Sequence, residues 1–283
     1  MTDQSHDNTH NPLGQVTAYP RQFNPELLFK IPRAQPRKAL GIDTQLPFEG
    51  YDRWTAYELS WLNPKGKPEM RVAEFVVAAA SPTIVESKSF KLYLNSYNQA
   101  VFTNEQAVIE QLIKDLSQGF GADVDVALFD LDDLDNRLNV TGFKAQCIDA
   151  LDVDISLYEP DATLLATQTA MVKCEVLYSH LLKTNCPITD QPDWATVYIE
   201  YSGKKIKPAS LLEYIVSFRQ HQGYHENCVE QMFCDIKQYC QPEYLTVYAR
   251  YTRRGGLDIN PLRTDYSEQE SQLWGRVLRG IRQ

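Results

Sequence analysis

The run from Leu182 to Trp194, Leu-Lys-Thr-Asn-Cys-Pro-Ile-Thr-Asp-Gln-Pro-Asp-Trp, puts one thiol where a substrate can meet it. Cys186 stands between Asn185 and Pro187, and the proline excludes a helix interior and disfavours a central strand. The residue therefore belongs to a loop, the kind of segment from which a rigid scaffold presents reactive side chains. A thiolate attacks unsaturated carbon well, and its pKa falls beside a cation or a helix N-terminus. Asp193 follows in the same stretch and can serve as a proton source across the loop. Taken alone, an inert half-buried thiol and a turn-bonding aspartate explain these residues equally well.

Other groups invite the same double reading. His225 and Glu226 open a stretch in which Val229, Met232, Phe233, Ile236 and Cys240 recur at helical spacing, so they sit in the first turn of a helix. There a histidine serves packing or capping as readily as catalysis, and a glutamate complements the helix dipole. Cys228, Cys234 and Cys240 recur every sixth residue, which keeps no helix face and suits no metal motif; they read as core. Glu86, Lys88 and Lys91 bring both signs to one loop and helix start, a pattern that a solvated face also produces. Arg250, Arg253 and Arg254 run into Gly255 and Gly256, a turn that can offer guanidinium forks and backbone N–H groups to phosphate. No G-x-G-x-x-G or G-x-x-x-x-G-K-[ST] run exists, so a Rossmann or P-loop site has no support.

The elements that must position these residues form a repeat. Residues 1–20 are polar and read as a mobile leader, and Tyr19 to Gly41, with Pro20, Pro25, Pro32 and Pro36, reads as an extended arm on the surface. The folded body is expected to begin near Gly50. Alternation over Trp54 to Asn63 predicts a strand, and Val72 to Ala80 its hairpin partner. A short helix over Glu86 to Asn98 comes next. A second starts at Thr103, with Gln106 completing a capping box, carries Val108, Ile109, Leu112, Ile113 and Leu116 on its buried face, and stops at Gly119. Val124 and Val126 begin another strand.

At an offset of about 120 residues the same plan returns. Tyr57–Asn63 falls on Tyr178–Asn185, Tyr93–Tyr97 on Tyr214–Phe218, and Glu110–Leu116 on Glu230–Ile236. The reading is a tandem α+β protein in which each module is an antiparallel sheet with two helices on one face. The boundaries expected are 21–160 for the first module and 161–283 for the second. Where the first copy has Asn63-Pro64 the second has Asn185-Cys186-Pro187, so the thiol is an insertion at one hairpin tip. Shared scaffold and differing chemistry suit a composite site.

At 283 residues and 43% hydrophobic content the chain can build substantial cores. No apolar run is long enough to cross a membrane, and Met1 to His10 lacks the features of a signal peptide, so a cytoplasmic location and six reduced cysteines are expected. A net charge of −9 argues against direct nucleic-acid binding. The acid cluster at Asp123 to Asp135, continued by Asp149, Asp152 and Asp154, reads as a solvated edge and lacks the glycine of a calcium loop.

Five blocks in order make the reading specific: Glu86-Ser-Lys-Ser-Phe-Lys-Leu-Tyr, Asn185-Cys-Pro, Gln191-Pro-Asp-Trp, Ser217-Phe-Arg with Tyr224-His-Glu, and Arg250-Tyr-Thr-Arg-Arg-Gly-Gly-Leu-Asp-Ile-Asn-Pro261. From about Leu13 onward the chain resembles the QueF family, NADPH-dependent 7-cyano-7-deazaguanine reductases of queuosine biosynthesis, in its long two-module form. Tyr224 is a departure, standing where phenylalanine is expected. The resemblance implies the tunnelling fold, a homodimer, and no metal. It implies that Cys186 forms a covalent thioimidate with the nitrile carbon while Asp193 handles the proton at nitrogen and His225 assists. It implies that Glu86, Ser87, His225 and Glu226 contact the base, and that Ser87, Lys88, Lys91, Arg253, Arg254 and Gly255 contact NADPH, which is used twice. Two other readings stay open: a zinc hydrolase like the GTP cyclohydrolases, with Cys186, His225 and a third ligand, and a non-catalytic purine or pterin binding module.

Overall fold

The computed structural model describes residues 20, 22–131, 144–266 and 271–275; the expected leader thus lies outside the described residues except for Pro20. Two long hairpins supply most of the sheet. The first is β2 (Glu49–Leu62) with β3 (Pro68–Ala78), and the second is β7 (Thr167–Asn185) with β8 (Pro192–Ile206). Each hairpin leads into a helix pair: α2 (Ser87–Ser96) and α3 (Glu105–Phe120) in the first half, α4 (Pro208–Ser217) and α5 (His225–Cys240) in the second. Strand β5 (Val124–Phe129) follows the first pair, and β9 (Tyr244–Tyr251) with β10 (Leu257–Thr264) the second.

These strands, with the two-residue β6 (Gln146–Cys147), form one eight-stranded sheet in the order β5-β3-β2-β10-β9-β8-β7-β6. All neighbours are antiparallel except β6 and β7. The halves are fused edge to edge by β10 and β2, which pair from Leu257 with Ala56 to Thr264 with Glu49. All four long helices cover one face. Trp54, Leu59, Phe75, Phe90, Leu112 and Phe120 pack under α2 and α3, while Val197, Ile199, Leu211, Phe233 and Val247 pack under α4 and α5. Each such side chain contributes about 1.5–3 kcal/mol of transfer free energy. On the opposite face Tyr51, Tyr248 and Leu262 pack against Leu273 near the C-terminus.

Three local expectations change. Helix α3 is capped by Asn104, whose side chain accepts from the Ala107 N–H, and not by Thr103. It ends at Gly121, which takes φ +68; Gly119 stays helical, packed close to Val85. Ile113 is 39% exposed instead of buried. The largest change concerns the arm. It forms β1 (Lys30–Pro32) on β4 (Thr83–Val85) and a short helix α1 (Ala34–Ala39), and Arg33 and Arg37 enter the interior. Arg33 Nη2 reaches Asp52 at 2.5 Å, and Arg37 holds Glu230 through Nε at 3.0 Å and Nη2 at 2.8 Å. Arg263 bridges the same two acids, 2.8 Å from Asp52 and 2.9 Å from Glu230. Proline content predicted an extended surface segment; charge pairing drew it inside.

Candidate active site

Helix α2 begins at a carboxylate. The Glu86 side chain accepts from the backbone N–H of Lys88 at 3.0 Å and of Ser89 at 2.8 Å, and its own N–H donates to Phe29 O at 2.9 Å. Each carboxylate oxygen keeps further acceptor capacity, so capping does not exhaust the group. At the matching place in the second half Lys207 gives α4 no side-chain cap. Glu86 is thus both a helix cap and a buried acceptor, 3% exposed.

The turn between β7 and β8 holds Cys186. Its N–H donates to Gln191 O at 2.9 Å, and Asp190 N–H donates to its carbonyl at 3.0 Å. Asn185 is fixed from outside the hairpin: its N–H donates to His221 O at 2.8 Å, and Gly223 N–H donates to its carbonyl at 3.1 Å. Lys183 Nζ ties the Asn185 side chain to Arg219 O. The half-buried thiol is therefore carried on backbone locked to the segment just before α5.

At the start of β8, Asp193 is 3% exposed. Its Oδ1 lies 3.0 Å from Arg254 Nη2, and its Oδ2 lies 3.4 Å from His225 Nε2. His225 is the first residue of α5, and its ring stacks on Tyr251 with centroids 3.6 Å apart and 2° between planes. Arg254 is delivered by the turn after β9, where Gly255 and Gly256 take φ +58 and +75; a Cβ at Gly256 would stand 2.8 Å from Glu58 Oε2. Buried His225 Nδ1 and Arg254 Nη1 have no hydrogen-bond partner among the described residues, as expected of groups that wait for a ligand.

Glu226, the next residue on α5, is 2% exposed. Burial first, and then the charge of Asp52, push its carboxyl above the usual range, while Arg33 and His225 pull the other way. The arm thus reaches the site electrostatically.

Two clefts meet at the thiol. One, narrow at about 30 Å³, is lined by Glu86, Ser87, Cys186, Asp193, His225 and Glu226, with Trp54 and Tyr224 as aromatic walls. The other, of about 490 Å³, shares Glu86, Ser87, Cys186 and Arg254 and adds Lys88, Lys91 and Gly255. Burial lowers the Lys91 pKa, and the facing Arg254 guanidinium lowers it further. Two cations held together in this way suit an anionic phosphate. Arg253 is not part of this group; its guanidinium lies over the Tyr57 ring, 4.9 Å from the centroid. The sequence reading missed Trp54, Tyr251 and Arg33, and no local signal marks any of them.

The geometry also bears on the zinc reading. Among the described residues, the trio of Cys, His and acidic ligand atoms within mutual reach is Cys147, Asp149 and His180, and it contains neither Cys186 nor His225. No helix of the described residues is long and apolar enough to cross a membrane.

Comparison with known proteins places the chain. Residues 19–128 match the family model for the N-terminal part of nitrile reductase, 7-cyano-7-deazaguanine reductase, and residues 192–270 match that for QueF-like proteins. Asp193, His225 and Glu226 lie in the second match, and Cys186 lies between the two. The NADPH-dependent 7-cyano-7-deazaguanine reductase of Bordetella avium is 54% identical over 255 residues, covering 90% of this chain and 93% of that protein. The proteins of the same name from Burkholderia vietnamiensis and Burkholderia ambifaria are each 53% identical over 261 residues, covering 92% of this chain and 94% of theirs. With sequence kinship over nine-tenths of its length and an α+β architecture that gathers the thiol, carboxylates and imidazole at one cleft, this chain belongs to the QueF family of 7-cyano-7-deazaguanine reductases.

Proposed function

We propose that this chain reduces the nitrile of 7-cyano-7-deazaguanine to the aminomethyl group of 7-aminomethyl-7-deazaguanine in queuosine biosynthesis, through a covalent thioimidate on Cys186. The observation that carries the reading is the cleft shared by Cys186, Asp193, His225, Glu86 and Glu226. The Cys186 sulfur bonds to the nitrile carbon as one C–N π pair moves to nitrogen. Asp193 takes the thiol proton and returns it to that nitrogen, so the adduct has the mass of enzyme plus intact nitrile. Arg254 holds the Asp193 carboxyl in place before attack, and His225, braced by Tyr251, supports the same group. Glu86 and Glu226 accept the donor N–H edge of the base, a pairing that carboxylates make strongly, and Ser87 and Tyr224 complete its walls.

NADPH supplies two hydrides in succession, four electrons in all. The second cleft fits such a cofactor, because buried Arg254 Nη1 lacks a partner there and Lys91 is held against it. Lys88, Lys91 and Arg254 would hold phosphate, Ser87 would add a hydroxyl, and Gly255 leaves room for close approach. Arg253, turned onto Tyr57, is left out of the assignment.

Residues 21–160 and 161–283 are read as two copies of one module, and the active unit as a cytoplasmic homodimer. The open sheet supports the dimer: it ends in β5 on one side, and on the other β6 covers only two residues of β7. Light scattering on purified protein tests the dimer. Incubation with 7-cyano-7-deazaguanine alone tests the chemistry: intact-mass measurement should show the added nitrile on wild type and not on Cys186→Ala. An unmodified wild-type mass rules out the covalent route.

A further inference from the structure

Away from both clefts, at the far edge of the sheet, a second set of reactive side chains comes together. Cys147, Asp149 and His180 each present one ligand atom, and the three atoms lie within 4.8 Å of one another. Ligands at about 2.0–2.3 Å from a tetrahedral zinc stand roughly 3.5 Å apart, so side-chain movement of about 1 Å closes the set around one ion.

The backbone builds this arrangement. Strand β6 runs parallel to β7 with Cys147 opposite Tyr178, and the next residue, Ile148, donates its N–H to Tyr178 O at 3.0 Å while its side chain is fully buried. That anchor fixes Cys147 on one side and Asp149 on the other. Strand β7 shifts register between Ser179 and Leu182, and Leu181 N–H donates to Ser179 Oγ at 3.1 Å. A bulge of this kind re-aims one side chain, here His180.

The His180 ring is also held by a partner outside the trio, and Asp149 is tied to the His180 backbone. His180 Nδ1 lies 2.8 Å from Thr196 Oγ1. Asp149 Oδ2 accepts the His180 backbone N–H at 3.0 Å, while its Oδ1 is buried and has no hydrogen-bond partner among the described residues. Cys147 stands opposite Tyr178 in the ladder. Outer-shell bonds of this sort orient metal ligands and fix the imidazole tautomer. A nucleophilic Cys-His-Asp triad would use its carboxylate to orient the ring. Here the carboxylate takes the histidine's backbone N–H and a threonine takes the ring nitrogen.

We propose that Cys147, Asp149 and His180 form a binding site for one divalent transition-metal ion, Zn²⁺ by its ligand chemistry, with solvent in the fourth position. A sulfur, a nitrogen and an oxygen donor suit zinc and disfavour calcium or magnesium, which take oxygen ligands. The thiol loses its proton to solvent as the S–Zn bond forms, one proton per ion. The ion clips the segment carrying β6 onto β7, the strand that ends at Asn185 beside the nucleophile. It stands apart from the reducing site and takes no part in hydride chemistry.

Titration of the dialysed full-length protein with Zn²⁺ and Co²⁺ in chelator-free buffer tests the site. One equivalent should bind per chain with release of one proton, and the cobalt form should show thiolate-to-metal charge-transfer absorption. Cys147→Ser and His180→Ala should each weaken binding at least tenfold and remove or alter that absorption. Thr196→Val should weaken it less than either ligand variant, whereas Cys186→Ala should keep both signals. In the unaltered chain, saturating Zn²⁺ should protect Cys147 from alkylation, which gives a readout if the variants fold poorly. Absence of one-to-one binding, wild-type affinity in Cys147→Ser, loss of the cobalt signal in Cys186→Ala, or unprotected Cys147 in zinc-saturated protein would each overturn the assignment.

Discussion

Asp193 Oδ1 lies 3.0 Å from Arg254 Nη2, joining the carboxylate proposed to move the proton to a guanidinium proposed to hold the cofactor. The pair is well shielded: the Asp193 side chain is 4% exposed and that of Arg254 24%. Arg254→Met should therefore damage both half-reactions. A charged hydrogen bond of this kind contributes about 1.5–3 kcal/mol, so adduct formation in the absence of NADPH should slow by about tenfold or more, and KM for NADPH should rise. Arg254→Lys should recover part of the NADPH effect and less of the adduct rate, since a point charge does not reproduce the fork. Stopped-flow measurement of adduct formation separates the two; an unchanged adduct rate in Arg254→Met would confine the arginine to the cofactor.

Glu226 should give the site a distinctive pH response. Burial and the Asp52 charge raise its carboxyl above the ordinary value of 4.5. A raised folded-state pKa favours the fold while the group is neutral. Its contribution is fully present below pH 4.5 and is lost as pH rises through the raised value. Glu226→Gln removes that dependence, so the variant should gain on wild type in thermal midpoint as pH rises across the window. Binding runs the opposite way, because the donor edge of the base needs the carboxylate. In a Cys186→Ala background, which isolates non-covalent binding, calorimetric affinity for the nitrile should rise with pH in the Glu226 protein and stay flat in Glu226→Gln.

Much of the molecule is legible along the chain because its signals are local. The hairpins and helix pairs show as alternation and helical spacing, and Asn185-Cys186-Pro187 declares a loop through the proline alone. Both sixteen-residue helices, α3 and α5, begin at equivalent points, Glu105 and His225. Where the reading failed, the deciding partner lay far along the chain or a neighbour offered the same chemistry. Thr103 and Asn104 can both cap, and only backbone geometry selects Asn104. Arg33 and Arg37 look like exposed charges until Asp52 on β2 and Glu230 on α5 are brought to them. Arg253 and Arg254 are indistinguishable as neighbours, yet one faces Asp193 and the other lies on Tyr57. Asp149 looked like part of a solvated acid run, and its nearness to Cys147 and His180 depends on a bulge in β7.

The buried charges inside the arm should dominate stability. Burial would raise the Asp52 carboxyl, but Arg263 and Arg33 outweigh it and hold the group below its ordinary value. Asp52→Asn would leave Arg33, Arg37 and Arg263 facing Glu230. Removing one partner from such a buried set costs roughly 3–5 kcal/mol, a fall in Tm on the order of 10 °C for a chain of this size. With a depressed folded-state pKa, the Asp52 contribution is present above the ordinary carboxylate value and fades as pH falls through the lower one. The gap between wild type and Asp52→Asn should therefore narrow in acid, a trend that thermal scans at several pH values can read.

Glu86 offers a separation of scaffold from recognition within one side chain. Its oxygens cap α2 through Lys88 and Ser89 while the same carboxylate lines the base cleft. Glu86→Ala removes both roles, and loss of a side-chain cap costs about 1 kcal/mol. Glu86→Gln keeps one acceptor oxygen, so one of the two cap bonds should survive, but the charge that would meet the donor edge of the base is gone. Chemical denaturation should place Glu86→Gln between wild type and Glu86→Ala, because one of the two cap acceptors survives. Affinity for the nitrile, measured again in Cys186→Ala, should fall in both variants by about 1.5–3 kcal/mol, the range for a hydrogen bond to a charged group. Wild-type affinity in Glu86→Gln would reduce Glu86 to a helix cap and leave Glu226 as the carboxylate that reads the base.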